Sequence, residues 1–167
     1  YKESMEFVFN NSTIKAKTIF STAPENGADI VVSEEKDFDR KTIIEIRERN
    51  SVTCIVLHWS HFSENVEPSL FWSEDKRILF VGAGYVSAVV NVASKSLIDI
   101  NYPDLFWGWE CLNNNILELC ELDCRLYSLS GHLIGHAHVD PPYDYEVTDD
   151  AILFSSIVMG KTSIEFK

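Results

Sequence analysis

Short apolar runs alternate with turn-forming residues along the chain after Pro68. Runs of this length suit β-strands, because a helix needs a longer amphipathic stretch to bury one face. The runs are 70–72, 78–81, 85–92, 97–100, 105–109, 116–120, 125–129, 132–138, 143–147, 152–155 and 163–166. Gly, Asn, Asp, Ser or Pro clusters separate them at intervals typical of all-β proteins. The pattern predicts a mainly β fold of antiparallel sheets with little helix.

The N-terminal part of the chain also predicts strands. They are expected at 5–9, 14–20, 29–33 and 52–57. The segment 42–49 is ambiguous, because Asp39 could cap a short helix there. The alternation of Ile44 and Ile46 favours a strand instead. Residues 58–68 predict a loop or a short helical turn.

Three Ile-Leu pairs that each follow a polar turn form a weak internal repeat. Their isoleucines are Ile78, Ile116 and Ile152, spaced 38 and 36 residues apart. Several strands in a period of this length resemble the blades of a β-propeller. The repeat units are about 75–112, 113–148 and 149–167. Three units cannot close a propeller, so we expect a curved sheet or a partial propeller completed by N-terminal strands. Two stacked sheets with coincidental spacing are the alternative.

Length and composition predict one folded domain covering residues 1–167, with 46% hydrophobic residues. No apolar run approaches a membrane span, and the start of the chain shows no leader pattern. The four cysteines are Cys54, Cys111, Cys120 and Cys124. No pair has CxxC spacing, which favours reduced thiols and a cytoplasmic location.

Acidic residues dominate the segment 96–160. The chain carries a net charge of −12, and Arg125 is the one Lys or Arg of this segment. Such a charge argues against nucleic acid as a direct partner, because phosphates are bound by Lys and Arg. A basic protein is the partner that this surface suits, since opposite charges accelerate the encounter.

Two clusters within this segment combine aromatic and acidic residues, a composition that suits protein interfaces. The first contains Trp107, Trp109 and Glu110, and the spacing predicts both indoles on one face of a strand. The second is predicted to be an acidic loop stiffened by Pro141 and Pro142. Its candidate contact residues are Asp140, Tyr143, Asp144, Tyr145, Glu146, Asp149 and Asp150. Tyr143 and Tyr145 should share one face, and Asp144 and Glu146 the other.

One constellation could bind a metal. On a strand, His136, His138 and Asp140 would point to the same side, and two imidazoles with a carboxylate suit zinc or iron. The flanking residues fit neither an HxHxDH hydrolase nor a cupin pattern. No nucleophile elbow or dinucleotide-binding fingerprint is present either. We therefore expect no catalytic residues, no metal and no cofactor.

The chain resembles the immunity proteins of bacterial contact-dependent growth inhibition and related polymorphic toxin systems. The resemblance is one of size, acidity and β texture, carried most by residues 104–150, and it includes no diagnostic motif. It implies a non-enzymatic protein that neutralises a cognate toxin, such as a nuclease with a basic substrate site. Carboxylates of 140–150 would then pair with cations of the toxin, and Tyr143 or Tyr145 would anchor the contact.

Two other functions remain open from the sequence. A metal-dependent β-fold enzyme or metal-binding domain would use His136, His138 and Asp140. A small-ligand or carbohydrate-binding β module would use Trp107 and Trp109. All three hypotheses place the functional residues between 104 and 150.

Overall fold

The computed structural model describes residues 3–62 and 67–167, and regular structure in this part of the chain is entirely β. The strands are β1 (Glu3–Val8), β2 (Ser12–Phe20), β3 (Ile30–Ser33), β4 (Arg40–Glu48), β5 (Ser51–Trp59), β6 (Ser69–Ser73), β7 (Ile78–Ala83), β8 (Val86–Asn91), β9 (Ser96–Asn101), β10 (Phe106–Leu112), β11 (Asn115–Cys120), β12 (Asp123–Ser128), β13 (Leu133–His138), β14 (Tyr143–Val147), β15 (Ala151–Ser156) and β16 (Gly160–Glu165). The predicted mainly β fold class is confirmed. The ambiguous segment 42–49 lies largely in β4. Part of the predicted 58–68 connector, residues 63–66, lies outside the described residues.

The strands form four sheets that follow one another along the chain. Sheet A has the order β1-β2-β4-β5-β3, with β3 parallel to β5. Sheet B (β6 to β9) and sheet C (β10 to β13) are four-stranded antiparallel meanders, and sheet D (β14 to β16) has three strands. The N-terminal strands therefore build a sheet of their own and do not complete the later units.

The internal repeat corresponds to the last three sheets. Ile78 begins β7, and Ile116 and Ile152 are the second residues of β11 and β15. Each Ile-Leu pair thus opens the second strand of its sheet. Each repeat unit of the sequence therefore begins one strand later than the sheet to which it corresponds.

Alternation along each strand divides the apolar side chains between two neighbouring cores. In β7, Leu79 and Val81 pack with sheet A, whereas Ile78 and Phe80 pack with sheet C. Both faces of β7 are therefore buried, which explains why 78–81 is an unbroken apolar run. A third core between sheets C and D contains Leu117, Leu126, Ile152, Phe154 and Ile164. Within the described residues, no helix could span a membrane.

Backbone hydrogen bonds join the sheets at one end of the strands. The Phe106 N–H of sheet C donates to the Gly84 carbonyl of sheet B at 2.8 Å, and at the same end the Glu121 N–H donates to the Leu105 carbonyl within sheet C at 2.9 Å. We call this the connector end. It contains residues 34–39, 84–85, 102–105, 121–122 and 139–142. The opposite, hairpin end contains residues 74–77, 92–95, 113–114, 129–132 and 148–150.

Candidate protein-binding surface

The acidic segment 140–150 is in part an edge strand. Residues Tyr143–Val147 form β14, which pairs with β15, so the prediction of a loop over the whole segment is wrong. The side-chain alternation is as expected. Asp144 and Glu146 are exposed, whereas Tyr143 and Tyr145 are half-buried and pack against the core between sheets C and D. The carboxylates face solvent, and the two rings contribute to the core.

Tyr143 is a packing residue that joins sheets C and D. Its hydroxyl donates to the Cys120 carbonyl at 2.8 Å, and burial raises the pKa of this phenol. Its ring stacks on Trp107, with centroids 5.3 Å apart and planes 6° apart. Tyr145 packs on Phe154 at 5.9 Å. Both rings are engaged within the protein but remain partly exposed, so their role as anchors for a partner stays a prediction.

The two tryptophans of β10 lie on different faces of sheet C. Trp109 packs at 5.4 Å from Phe80 in the core between sheets B and C, whereas Trp107 is 47% exposed and faces Tyr143. The strand pairing shifts between Phe106 and Gly108, and this irregularity inserts one residue and inverts the alternation. The predicted pair of indoles on one face is therefore wrong.

The remaining acids of the sequence-predicted site are dispersed. Asp140 precedes β14 at the connector end, and Asp149 and Asp150 follow it in the turn at the hairpin end. The strand between them spans about 15 Å. Glu110 is exposed on β10 of sheet C. These residues do not form one continuous docking patch.

The histidines of β13 are exposed and adjacent. His136 and His138 have ring centroids 5.5 Å apart, so they share a face as the alternation predicts. Asp140 lies beyond the end of the strand, where its N–H donates to the Ser156 hydroxyl at 3.2 Å. No group of three or more metal-ligating side chains occurs in the described parts of the chain, 3–62 and 67–167. The geometry thus offers no support for a catalytic metal at this strand.

Two of the four thiols are buried, whereas Cys54 is partly buried and Cys111 is exposed. All four cysteines are free, and Cys120 and Cys124 lie in the interior of sheet C. Burial raises the pKa of Cys124 to about 11 and that of Cys120 still further. A protonated, buried thiol is a poor nucleophile and a poor metal ligand.

One carboxyl group is completely buried between sheets B and C. Glu118 Oε1 accepts hydrogen bonds from the Ser87 hydroxyl, from Asn101 Nδ2 at 3.4 Å and from the Cys120 thiol at 3.4 Å. Its second oxygen, Oε2, has no hydrogen-bond partner among the residues that the structure describes. Burial raises the pKa of Glu118 above its usual range, more than these donors lower it.

We expect Glu118→Gln to stabilise the protein at neutral pH by about 1 kcal/mol, because glutamine carries no charge to desolvate. The folded-state pKa of Glu118 lies above the unfolded one. The contribution of Glu118 to the stability of the fold is therefore favourable below its pKa in the unfolded chain. That contribution is lost as the pH rises through its pKa in the folded protein. Urea unfolding from pH 4 to pH 8 should show a difference between variant and wild type that disappears at low pH. The exposed Glu110→Gln should show no such trend, and an equal effect of both variants would contradict the assignment.

A buried glutamate at the connector end holds three segments together. Glu34 Oε1 accepts from the backbone N–H of Ser60 at 2.7 Å and of Tyr85 at 3.0 Å. Glu34 Oε2 accepts from the Ser60 hydroxyl at 2.7 Å. The carboxylate thereby connects the end of β3, the end of β5 and the turn between β7 and β8. Gly84 in this turn has φ +56°, and a side chain there would clash with Glu34.

The segments that Glu34 connects form the wall of an open pocket of about 390 Å³. Its lining residues are Glu34, Glu35, Lys36, Asp37, Ser60, Tyr85, Tyr102, Pro103 and Asp104. Four carboxylates against one lysine make the pocket acidic. Tyr102 is 43% exposed at its rim, and Phe62 packs edge-on against Tyr85. The combination of acids and accessible rings suits an inserted Lys or Arg side chain.

Sequence reasoning missed this pocket because its acids come from distant connectors. Asp37 lies between β3 and β4, and Asp104 lies between β9 and β10. The one available signal was the run of charged residues at 34–39, because the connector 102–105 carries a single acid. Only the sheet packing brings Tyr102 and Asp37 into the lining of one pocket, and that packing is not visible in local composition.

The comparisons with known proteins identify no family. No protein-family model and no curated protein matches the chain. Among solved structures, it is similar to "The crystal structure of BamB from Moraxella catarrhalis", with 10% identity and a TM-score of 0.44. The alignment covers 96% of this chain and 42% of that chain, so this chain spans less than half the length of that protein. Similarity at this level carries no functional information.

Proposed function

We propose that this protein is a non-enzymatic immunity protein that binds a basic surface of a cognate toxin in the cytoplasm and blocks it. The observation that carries the proposal is the acidic pocket at the connector end, which Asp37 and Asp104 line together with Tyr85 and Tyr102. A Lys or Arg side chain of the toxin would enter this pocket. The rest of the connector end would cover the neighbouring toxin surface.

Charge supports this function over an enzymatic one. The net charge of −12 favours encounter with a basic protein, and a toxin that acts on nucleic acid needs a basic substrate site. Carboxylates that occupy such a site would compete with the phosphates of the substrate. In contrast, the described residues contain no metal-ligand cluster, and the indoles of Trp107 and Trp109 do not form one sugar-binding platform.

The rigid wall of the pocket and the acids around it support binding of a basic toxin surface at the connector end. Glu34 fixes the pocket wall through its three hydrogen bonds, so binding requires little reorganisation of this wall. Partly exposed Asp140 lies at the same end and adds to the negative charge. Asp144 and Glu146 face solvent on sheet D and would act at longer range, through the encounter rate.

We expect the pocket variant Asp37→Asn/Asp104→Asn to weaken toxin binding at least about tenfold, since both carboxylates face the inserted cation. The partner to test is any toxin domain that is found encoded beside the gene for this chain. Survival of cells that co-express both proteins measures neutralisation. Calorimetry from low to high salt measures affinity, which should fall as salt rises.

The matched control is Asp149→Asn/Asp150→Asn, which changes the net charge equally at the hairpin end. It should alter affinity by less than about threefold at physiological salt. Equal losses of toxin affinity in both variants would mean that net charge alone causes the effect. That result would reject the pocket as the contact. No rescue by the wild-type chain, or binding that is insensitive to salt, would reject the toxin-binding function.

A further inference from the structure

A buried histidine lies beside the segment that forms one wall of the acidic pocket. His58 of β5 is 2% exposed, and the alternation of the strand points it away from the core that contains Leu57 and Trp59. On this outer face of sheet A its ring stacks on Phe38, with centroids 4.2 Å apart and planes 3° apart. Its Nε2 has no hydrogen-bond partner among the residues that the structure describes. A histidine enclosed in this way is accommodated best when it carries no charge.

Residues 34–39 connect β3 to β4, and we call them the strap. Backbone groups of β5 hold its two ends. The Glu34 N–H donates to the His58 carbonyl at 3.1 Å, and the Asp39 N–H donates to the Trp59 carbonyl at 3.3 Å. Exchange of these two amide hydrogens therefore reports whether the strap is closed on β5.

The middle of the strap joins the histidine to the pocket. Asp37 lines the pocket, and its carbonyl accepts from the Ser60 hydroxyl at 2.9 Å. The next residue, Phe38, covers His58. Residues 34–37 all contribute to the pocket lining, so displacement of the strap removes one wall of the pocket.

The groups that face His58 disfavour a charge on it. Lys41 is its cross-strand neighbour on β4, is 7% exposed and binds Glu25 at 3.1 Å. On the other side, β3 places the uncharged Ser33 next to His58. Burial and the charge of Lys41 lower the pKa of His58, and Glu25 acts in the opposite direction. Glu25 favours a charged His58, but it is already paired with Lys41.

The charged side chains of the strap have other contacts. The Asp39 carboxylate accepts from the His61 N–H at 2.9 Å, and the Glu34 carboxylate makes the three hydrogen bonds described above. Residues 35–37 line the pocket. Farther along the outer face of sheet A lie Glu45 and Cys54, which are cross-strand neighbours four residues from Lys41 and His58.

We propose that the strap closes the wall of the acidic pocket only while His58 is neutral, and that protonation of His58 releases it. A buried imidazolium carries an N–H at Nε2 without an acceptor and a positive charge beside Lys41. Release of Phe38 lets water reach the ring and removes both costs. The regulation of binding rests on the proposed function of the pocket, but the conformational step takes place in the free protein.

The direction of the pH dependence follows from the lowered pKa of His58. With the strap closed, this pKa lies below the value of about 6.5 that an exposed histidine has. The closed strap is therefore favoured above about pH 6.5 and loses stability as the pH falls through the pKa of the enclosed ring. At pH 5.0 the open population can rise at most about thirtyfold, the limit for one histidine with that exposed pKa.

Hydrogen exchange followed by NMR on the purified chain tests the strap without a toxin. We expect the protection factors of the Glu34 and Asp39 amides, corrected for the intrinsic rate, to fall about tenfold between pH 7.5 and pH 5.0. His58→Phe keeps a ring on Phe38 without a charge, so its protection factors should change by less than about threefold. Lys41→Gln should also reduce the fall to less than about threefold, because Glu25 is then free to pair with the imidazolium.

His132→Phe is the matched control, since it removes an exposed histidine at the hairpin end and should retain the wild-type fall. Circular dichroism should confirm that each variant folds. If His58→Phe does not fold, NMR titration of the His58 ring in the wild-type chain decides, and a pKa at or above 6.5 overturns the proposal. Equal protection at both pH values, or the same fall in His58→Phe as in wild type, also overturns it. A pH-dependent strap in a chain that rescues no cells would support the proposal and reject only toxin binding.

Discussion

Glu34→Ala is expected to lower the free energy of unfolding by about 3 kcal/mol or more, because it leaves buried donors without an acceptor. The Ser60 N–H, the Ser60 hydroxyl and the Tyr85 N–H all donate to this one carboxylate. Their loss would release the turn after β7 from the ends of β3 and β5. Urea unfolding monitored by tryptophan fluorescence would measure the change, since Trp59 lies directly before Ser60.

Two variants separate this role from a general effect of charge. Glu34→Gln retains one acceptor oxygen and should cost less than alanine, because the Ser60 hydroxyl can rotate to accept from the new amide. Glu35→Ala removes an adjacent exposed carboxylate and should change stability by no more than about 0.5 kcal/mol. If Glu34→Ala unfolds at the same urea concentration as Glu35→Ala, the three hydrogen bonds do not hold the connector end together.

The elements of this fold could be predicted from local patterns. Each apolar run after Pro68 fits a strand length, and the Ile-Leu repeat at Ile78, Ile116 and Ile152 marks the second strand of sheets B, C and D. The alternation of Tyr143 and Asp144 correctly separated the buried from the exposed side of β14. These features are encoded within a few residues, so periodicity is sufficient to find them.

The arrangement of the candidate site could not be predicted in the same way. The irregularity at Phe106 reverses the faces of Trp107 and Trp109, and no composition signal marks it. The pocket depends on Glu34 reaching Tyr85, a contact between residues far apart in the sequence. An acidic residue next to a charged connector looks solvated until the packing of sheet A on sheet B is known.

Phe106→Ala is expected to reduce the free energy of unfolding by about 3–5 kcal/mol, the usual cost of removing a buried aromatic ring. Phe106 is 1% exposed and contacts Trp109 in the core between sheets B and C. A Cβ at Gly82 would lie 2.6 Å from its ring, so Gly82→Ala should also destabilise, by about 1–3 kcal/mol. Thermal and urea unfolding of both single variants would measure these costs.

The double variant Gly82→Ala/Phe106→Ala tests whether the two effects have one cause. Without the phenyl ring, the methyl group at position 82 has space and fills part of the cavity. The double variant should therefore be more stable than the sum of the single effects predicts, by about 1 kcal/mol or more. Additive losses would mean that Gly82 is required for the backbone of β7 and not for the ring of Phe106. A favourable coupling would instead identify the close approach of β7 to that ring as the contact that sets the spacing of sheets B and C beside the acidic pocket.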